Sequence, residues 1–143
     1  MAGTWGDSER QAEAMSIRAE SRAIARLTAR YVKAAIRYGA ACDADLWPPI
    51  SKRHARRIIA AGRKLKKAGA EGRRALDSLL DHDNPWVRVA AANDVYAFNE
   101  RRALAALEEI KKIRGWAALE AEASIYALRG ETPPSPWKRD RPH

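Results

Sequence analysis

The sequence predicts an all-α chain built from stacked helix pairs, and three observations carry that prediction. Residues 73–98 and 101–128 are two copies of one pattern: Arg73-Arg74-Ala75-Leu76 returns as Arg101-Arg102-Ala103-Leu104 at an offset of 28. Leu79 then matches Leu107, and Trp86 matches Trp116; Asp94-Val95-Tyr96-Ala97-Phe98 matches Ser124-Ile125-Tyr126-Ala127-Leu128, at an offset of 30. The added residues fall between the two halves of the second copy, where a loop tolerates them. Each copy is long enough for two short helices, and such a unit buries its apolar face only by stacking on a neighbour. Second, apolar residues outside the copies recur at spacings of three, four and seven, which is one helix face. Third, the prolines fall between these segments or at a helix start rather than inside them.

The elements follow in order. A long helix is expected from about 8 to 41, after a flexible 1–7 segment, with Ser8 as its cap and Ile17, Ile24, Leu27, Tyr31, Ala34 and Tyr38 on its apolar face. The segment Asp43 to Pro49 breaks it, and Trp47 is placed to seal the end of the core. Ser51 is expected to cap a second helix, about 52–68, whose apolar side is His54, Ile58, Ala61 and Leu65 and which ends at Gly69. The first repeat gives helices at about 71–81 and 85–98. Between them Asp81-His82-Asp83-Asn84 reads as a turn, with Pro85 at the first helical position. The second gives helices at about 100–113 and 116–129, separated by Gly115, with Gly130 as the closing C-cap. The helices should therefore form one domain over 8–130, about six in number. The proline-rich segment 131–143 cannot hold a regular element and is expected to be disordered.

Composition narrows the function. The chain has 143 residues, no run of apolar residues long enough to span a membrane, and no signal-like start, so a cytoplasmic protein is expected. Its single cysteine, Cys42, excludes an internal disulfide and a cysteine-based zinc cluster. The net charge is +9 and lopsided: residues 1–70 carry 15 Lys/Arg against 6 Asp/Glu, whereas residues 71–143 carry 12 of each.

The stretch Asp81-His82-Asp83-Asn84-Pro85-Trp86-Val87-Arg88-Val89-Ala90-Ala91-Ala92 resembles the turn and second helix of a HEAT-like, armadillo-type repeat. Residues about 52–130 together resemble a family of small bacterial HEAT-like proteins of unknown function. The second copy departs from the pattern, since Gly115-Trp116 stands for Asn84-Pro85-Trp86 and Glu120 stands where alanine is expected. It is therefore read as the terminal, capping repeat. The resemblance implies a HEAT-like stack that acts as an interaction module, and some similar proteins are thought to neutralise toxins.

The strongest functional signal is basic. Arg18, Arg22, Arg26, Arg30, Lys33 and Arg37 lie within an arc of roughly 120° on the first helix, opposite its apolar face. The second helix repeats the design with Arg53, Arg56, Arg57, Arg63, Lys64 and Lys67; of these Arg56, Arg63 and Lys67 join the first-helix residues as the predicted partner-binding face. A charge run is usually just a solvated face. Here the acids that would neutralise it are scarce, because between Ser21 and Pro49 only Asp43 and Asp45 are acidic. An acidic protein partner is the favoured expectation, a toxin among the candidates. Nucleic acid is the alternative, although no zinc finger, RNA-binding aromatic pair or helix-turn-helix is present. Trp86, Arg88 and Trp116 mark a second candidate surface, with the two tryptophans read first as packing anchors.

No catalytic residue, metal ligand or cofactor site is expected. His54 falls in the apolar arc of its helix and reads as a boundary histidine. The Asp81–Asn84 turn reads as a cap rather than a metal site, and His143 is in the tail. There is no phosphate-binding glycine loop, nucleophile elbow or metal-spaced histidine pair. Glu108, Glu109, Glu120 and Glu122 suggest an acidic patch at the far end of the stack.

Overall fold

A computed structural model describes the backbone of residues 3–44 and 48–132. It consists of six helices: α1 (Gly3–Asp43), α2 (Pro48–Lys67), α3 (Ala70–Ser78), α4 (Pro85–Val95), α5 (Glu100–Lys111) and α6 (Trp116–Arg129). A single 3-10 turn, Leu79–Asp81, extends α3, and no strand occurs among the described residues. The helices pair as α1 with α2, α3 with α4 and α5 with α6, and the pairs stack in chain order.

Several boundaries differ from expectation. Helix α1 begins at Gly3, so Ser8 lies inside it and does not cap its start, and the residues from Gly3 to Asp7 are helical. Helix α2 begins at Pro48 rather than after Ser51. The two prolines occupy its first turn, where a missing N–H costs nothing because those donors have no intrahelical partner. Helix α3 tightens into the 3-10 turn instead of running to 81, and α4 and α5 stop at Val95 and Lys111. Trp47 and residues 133–143, including His143, lie outside the described residues. Other expectations hold: Asn84, not Asp83, caps α4, its Oδ1 accepting the Trp86 N–H at 2.9 Å, and Pro85 is the first helical residue. Gly130 takes the left-handed conformation that closes α6.

The core is thin and rich in alanine. Its fully buried large side chains are Tyr31, Leu65, Leu76, Leu107, Ile110, Val87 and Val95, with Ala35, Ala91, Ala92, Ala103 and Ala121 between them. The repeat is visible in burial: Val87, Ala91 and Val95 of α4 correspond to Ala117, Ala121 and Ile125 of α6, and all six are buried. The tryptophans break the correspondence. Trp86 is 6% exposed and packs on α1, whereas Trp116 is 55% exposed and is not the packing anchor its sequence position suggests. The reason is position in the stack: α4 lies against the long α1, while α6 is the last helix and touches α1 only around Tyr38.

Two glycines set how closely the layers approach. A β-carbon at Gly39 would overlap the indole of Trp86, and one at Gly62 would overlap the carboxylate of Asp94. Both sites therefore require a residue without a side chain. Gly39→Ala is expected to lower the unfolding free energy by about 2 kcal/mol through overpacking. Gly6→Ala, where nothing lies within 4 Å, should be neutral or slightly stabilising. Parallel urea titrations of the two variants check this.

Candidate functional site

Beside an exposed Ser21–Glu71 hydrogen bond, helix α1 is joined to the repeats by two part-buried polar clusters. The first centres on Asp94 of α4. Its Oδ2 accepts the Tyr31 hydroxyl proton at 2.7 Å, and its Oδ1 meets the Lys66 ammonium of α2 at 2.8 Å. Burial first, then the Asp94 carboxylate, raises the Tyr31 phenol well above its ordinary range, so it remains a donor. The second centres on Trp86. Its indole N–H donates to Asp43 Oδ2 at 3.1 Å, and its ring meets Tyr38 edge-on with centroids 5.7 Å apart. The Tyr38 hydroxyl reaches Glu120 Oε1 at 3.4 Å and lies near Cys42. Burial is the main cause that lifts the Tyr38 phenol, and it also lifts the Cys42 thiol, which leaves Cys42 poorly suited to act as a nucleophile.

These contacts hold α1 against α2 so that their basic faces converge. A groove of about 370 Å³ runs between the two helices, lined by Arg30, Lys33 and Arg37 of α1 and Arg57 and Lys64 of α2. Leu27, Ala34, Ala60 and Ala61 form its floor, and no acidic residue lines it. All five cations are exposed, and among the described residues none has a carboxylate within salt-bridge distance. By contrast, three cations of the repeats are paired: Arg102 with Asp77 at 2.8 Å, Lys111 with Glu108 and Lys112 with Glu109. Part of the charge imbalance of the sequence is therefore gathered around this groove. In a groove walled by apolar side chains, five like charges focus a positive potential that attracts an anionic partner.

The predicted basic residues divide among different surfaces. Arg30, Lys33 and Arg37 line this groove, while Arg18, Arg22 and Arg26 continue up the exposed side of α1. Arg56 and Lys67 are exposed on α2 outside it. Arg63 turns to a separate groove of about 480 Å³ beside α4 and α6, shared with Lys66, Asp94 and Glu120. Arg57 and Lys64, absent from the predicted partner-binding face, prove to be the α2 half of the cation groove. Helix α2 carries cations on several sides, so spacing within α2 could not tell which of them meets α1. Of the second candidate surface, Trp86 is buried, Trp116 is exposed at the far end, and Arg88 is half-buried in a groove beside Arg102, Asp81 and Glu109. These three do not form one surface. Nor do the four glutamates form an acidic patch, because Glu108 and Glu109 pair with lysines and Glu120 turns to Tyr38.

His54 stands at the end of the same α1–α2 junction, half-buried as expected, and its Nδ1 is buried with no hydrogen-bond partner. Among the described residues no group of His, Cys, Asp or Glu is placed to hold a metal ion. No helix of the described residues is long and apolar enough to cross a membrane.

Residues 25–128 match a family described as Domain of unknown function (DUF2019). The match spans most of the chain, and the chain belongs to this family. It takes in the second half of α1 and all of α2–α6 except the last residue, so both part-buried clusters and the whole cation groove lie within the shared domain. No curated protein and no solved structure matches the chain.

Burial, then Arg57, Arg37 and Arg53, hold the His54 imidazole below its ordinary value of 6.5. Because the cationic form is the disfavoured one, His54 is expected to be neutral at pH 7 and to take up its proton only below that value. Arg57→Gln should raise the midpoint by removing the nearest repulsion. An NMR titration of the histidine ring protons in both proteins measures it.

Proposed function

We propose that this member of the DUF2019 family is a non-catalytic binding module that holds an acidic macromolecule against the cation-lined groove between α1 and α2. The supporting observation is the set Arg30, Lys33, Arg37, Arg57 and Lys64 around one groove with no acid among its lining residues. Stacked helix pairs support the reading of the fold as HEAT-like, a scaffold suited to presenting an extended surface. The favoured partner is an acidic protein. The groove floor of Leu27, Ala34, Ala60 and Ala61 suits the carbon stems of aspartate and glutamate side chains, while the five cations take their carboxylates. A toxin with an acidic surface is one such partner, as the resemblance to toxin-neutralising proteins suggests. A basic nuclease would instead be repelled by this face.

Nucleic acid is the second reading, and the same five unpaired cations favour it, since each neutralised phosphate adds affinity that no sequence motif is needed to supply. The groove lining holds no aromatic side chain on which a base could stack, which leaves backbone contact as the mode.

Replacing Arg30, Arg57 and Lys64 together by glutamate should leave the circular dichroism spectrum unchanged, because all three side chains are exposed. It should weaken binding of labelled poly-glutamate by at least about tenfold, a loss of 1.4 kcal/mol. Fluorescence anisotropy at low and moderate salt gives both numbers. Repeated with a short DNA duplex, the log–log salt slope separates the readings: about −0.9 per phosphate contacted marks nucleic acid. Unchanged poly-glutamate binding after the triple reversal would remove this groove from the function.

A further inference from the structure

Helix α1 carries a second apolar stripe that the fold leaves uncovered. Its first stripe, with Ile24, Tyr31, Ala34 and Ala35, is buried. The second consists of Ser21, Ala25, Thr28, Ala29, Val32 and Ile36, which fall within an arc of about 100° at 100° per residue; Arg18 lies on the same arc and ends the stripe at its N-terminal side. From Ser21 onward it becomes the floor of an open groove of about 870 Å³ between α1 and α3. Ala25, Ala29 and Ile36 are exposed in it, Ile36 by 40%. Upstream, every residue from Asp7 to Glu20 is exposed, including Met15 and Ile17 at 67% and 55%. A helical segment of this length with no packing partner is marginal in water. The stripe from Ser21 to Ile36 is about 22 Å long at 1.5 Å per residue, about four turns, which suits a short helix-in-groove contact.

Charge on the rim specifies what fits. Lys33 and Arg37 border the groove on α1 and Arg74 borders it on α3. The one acid in the lining, Glu71, accepts the Ser21 hydroxyl proton at 2.9 Å. Arg22 and Arg26 extend the basic flank along the stripe, and Arg18 stands at its head, all exposed. The small side chains at Ala25 and Ala29 let a second helix axis approach closely. A second copy of this chain fits poorly. Two α1 helices paired antiparallel about Ala25 set the Arg22–Arg26 stretch of each beside the other, and parallel pairing aligns every arginine with itself.

We propose that the α1–α3 groove docks one amphipathic helix of a separate protein, apolar along the seam and acidic on its flanks. This surface is distinct from the α1–α2 groove, and only Lys33 and Arg37 border both.

The test uses the full chain and two labelled synthetic helical peptides, each with leucine along the seam, one with glutamate flanks and one with lysine flanks. The glutamate peptide binds one-to-one, and the lysine peptide binds at least about tenfold more weakly. Ala29→Arg with Ile36→Glu, both at exposed positions, removes binding of the glutamate peptide while the helical spectrum is retained. Arg74→Glu, on the opposite wall, weakens the glutamate peptide and strengthens the lysine peptide, which a general loss of structure cannot do. Arg57→Glu with Lys64→Glu leaves the glutamate peptide bound, so failure of the α1–α2 reading and failure of this one are distinguishable. Equal binding of the two peptides, or binding unaffected by the groove variants, overturns the proposal. So does a dimer of the unmodified chain, seen by sedimentation and dissociated by Ile36→Glu, since the groove then belongs to a second copy.

Discussion

The Asp94 carboxylate is the contact on which the arrangement of this molecule most depends. It takes a hydrogen bond from Tyr31 on α1 and an ion pair from Lys66 on α2, and it can do so only because Gly62 leaves room for it. One side chain of the repeats thereby fixes both helices of the first pair. Hydrogen bonds to a charged group contribute about 1.5–3 kcal/mol each, and losing one partner of such a set leaves the others desolvated and unpaired. In a core rich in alanine, many of the apolar contacts are small, so a polar contact of this size has added weight. Trp86 adds a second attachment further along α1, through Gly39, Tyr38 and Asp43.

The proposed binding surface rests on that attachment. Arg30, Lys33 and Arg37 repel Arg57 and Lys64, and nothing acidic among the groove's lining residues offsets the repulsion. The direct packing of α1 on α2, together with the Tyr31 and Tyr38 contacts on the repeat side of α1, holds the groove together against it. The repeat half of the chain is neutral overall. The first helix pair carries the excess. One part of the chain supplies the rigidity and another supplies the potential, which is a favourable division for a binding surface because the cations need not move to meet an anion.

The helices, their pairing and a cap on α4 from Asp83 or Asn84 were legible in the sequence, because periodicity, prolines and cap residues act locally. The repeat correspondence was also legible, and it holds in burial at Val87, Ala91 and Val95 against Ala117, Ala121 and Ile125. What the sequence did not show was set by neighbours distant along the chain. Trp86 and Trp116 occupy the same register, yet one is buried because α1 lies beside it and the other is exposed because α6 ends the stack. Ile17 continues the apolar period of α1 but is exposed, since the body of the protein begins only near Ser21. The role of Gly39 and Gly62 depends on Trp86 and Asp94, dozens of residues away. For the same reason the basic stripe on α1 could be read from spacing, while its α2 counterpart, Arg57 and Lys64, could be picked out only once the two helices were in contact.

Hydrogen exchange on Asp94→Ala, compared with the unmodified protein, tests most directly whether this one carboxylate holds the first helix pair in place. The account predicts that amides of α2 and of α1 from about Ile24 to Ala41 lose protection together, while those of α5 and α6 keep theirs, because the Asp94 contacts join α1 and α2 to α4 and not α5 to α6. Protection unchanged throughout, or lost to the same extent in every helix, would contradict it.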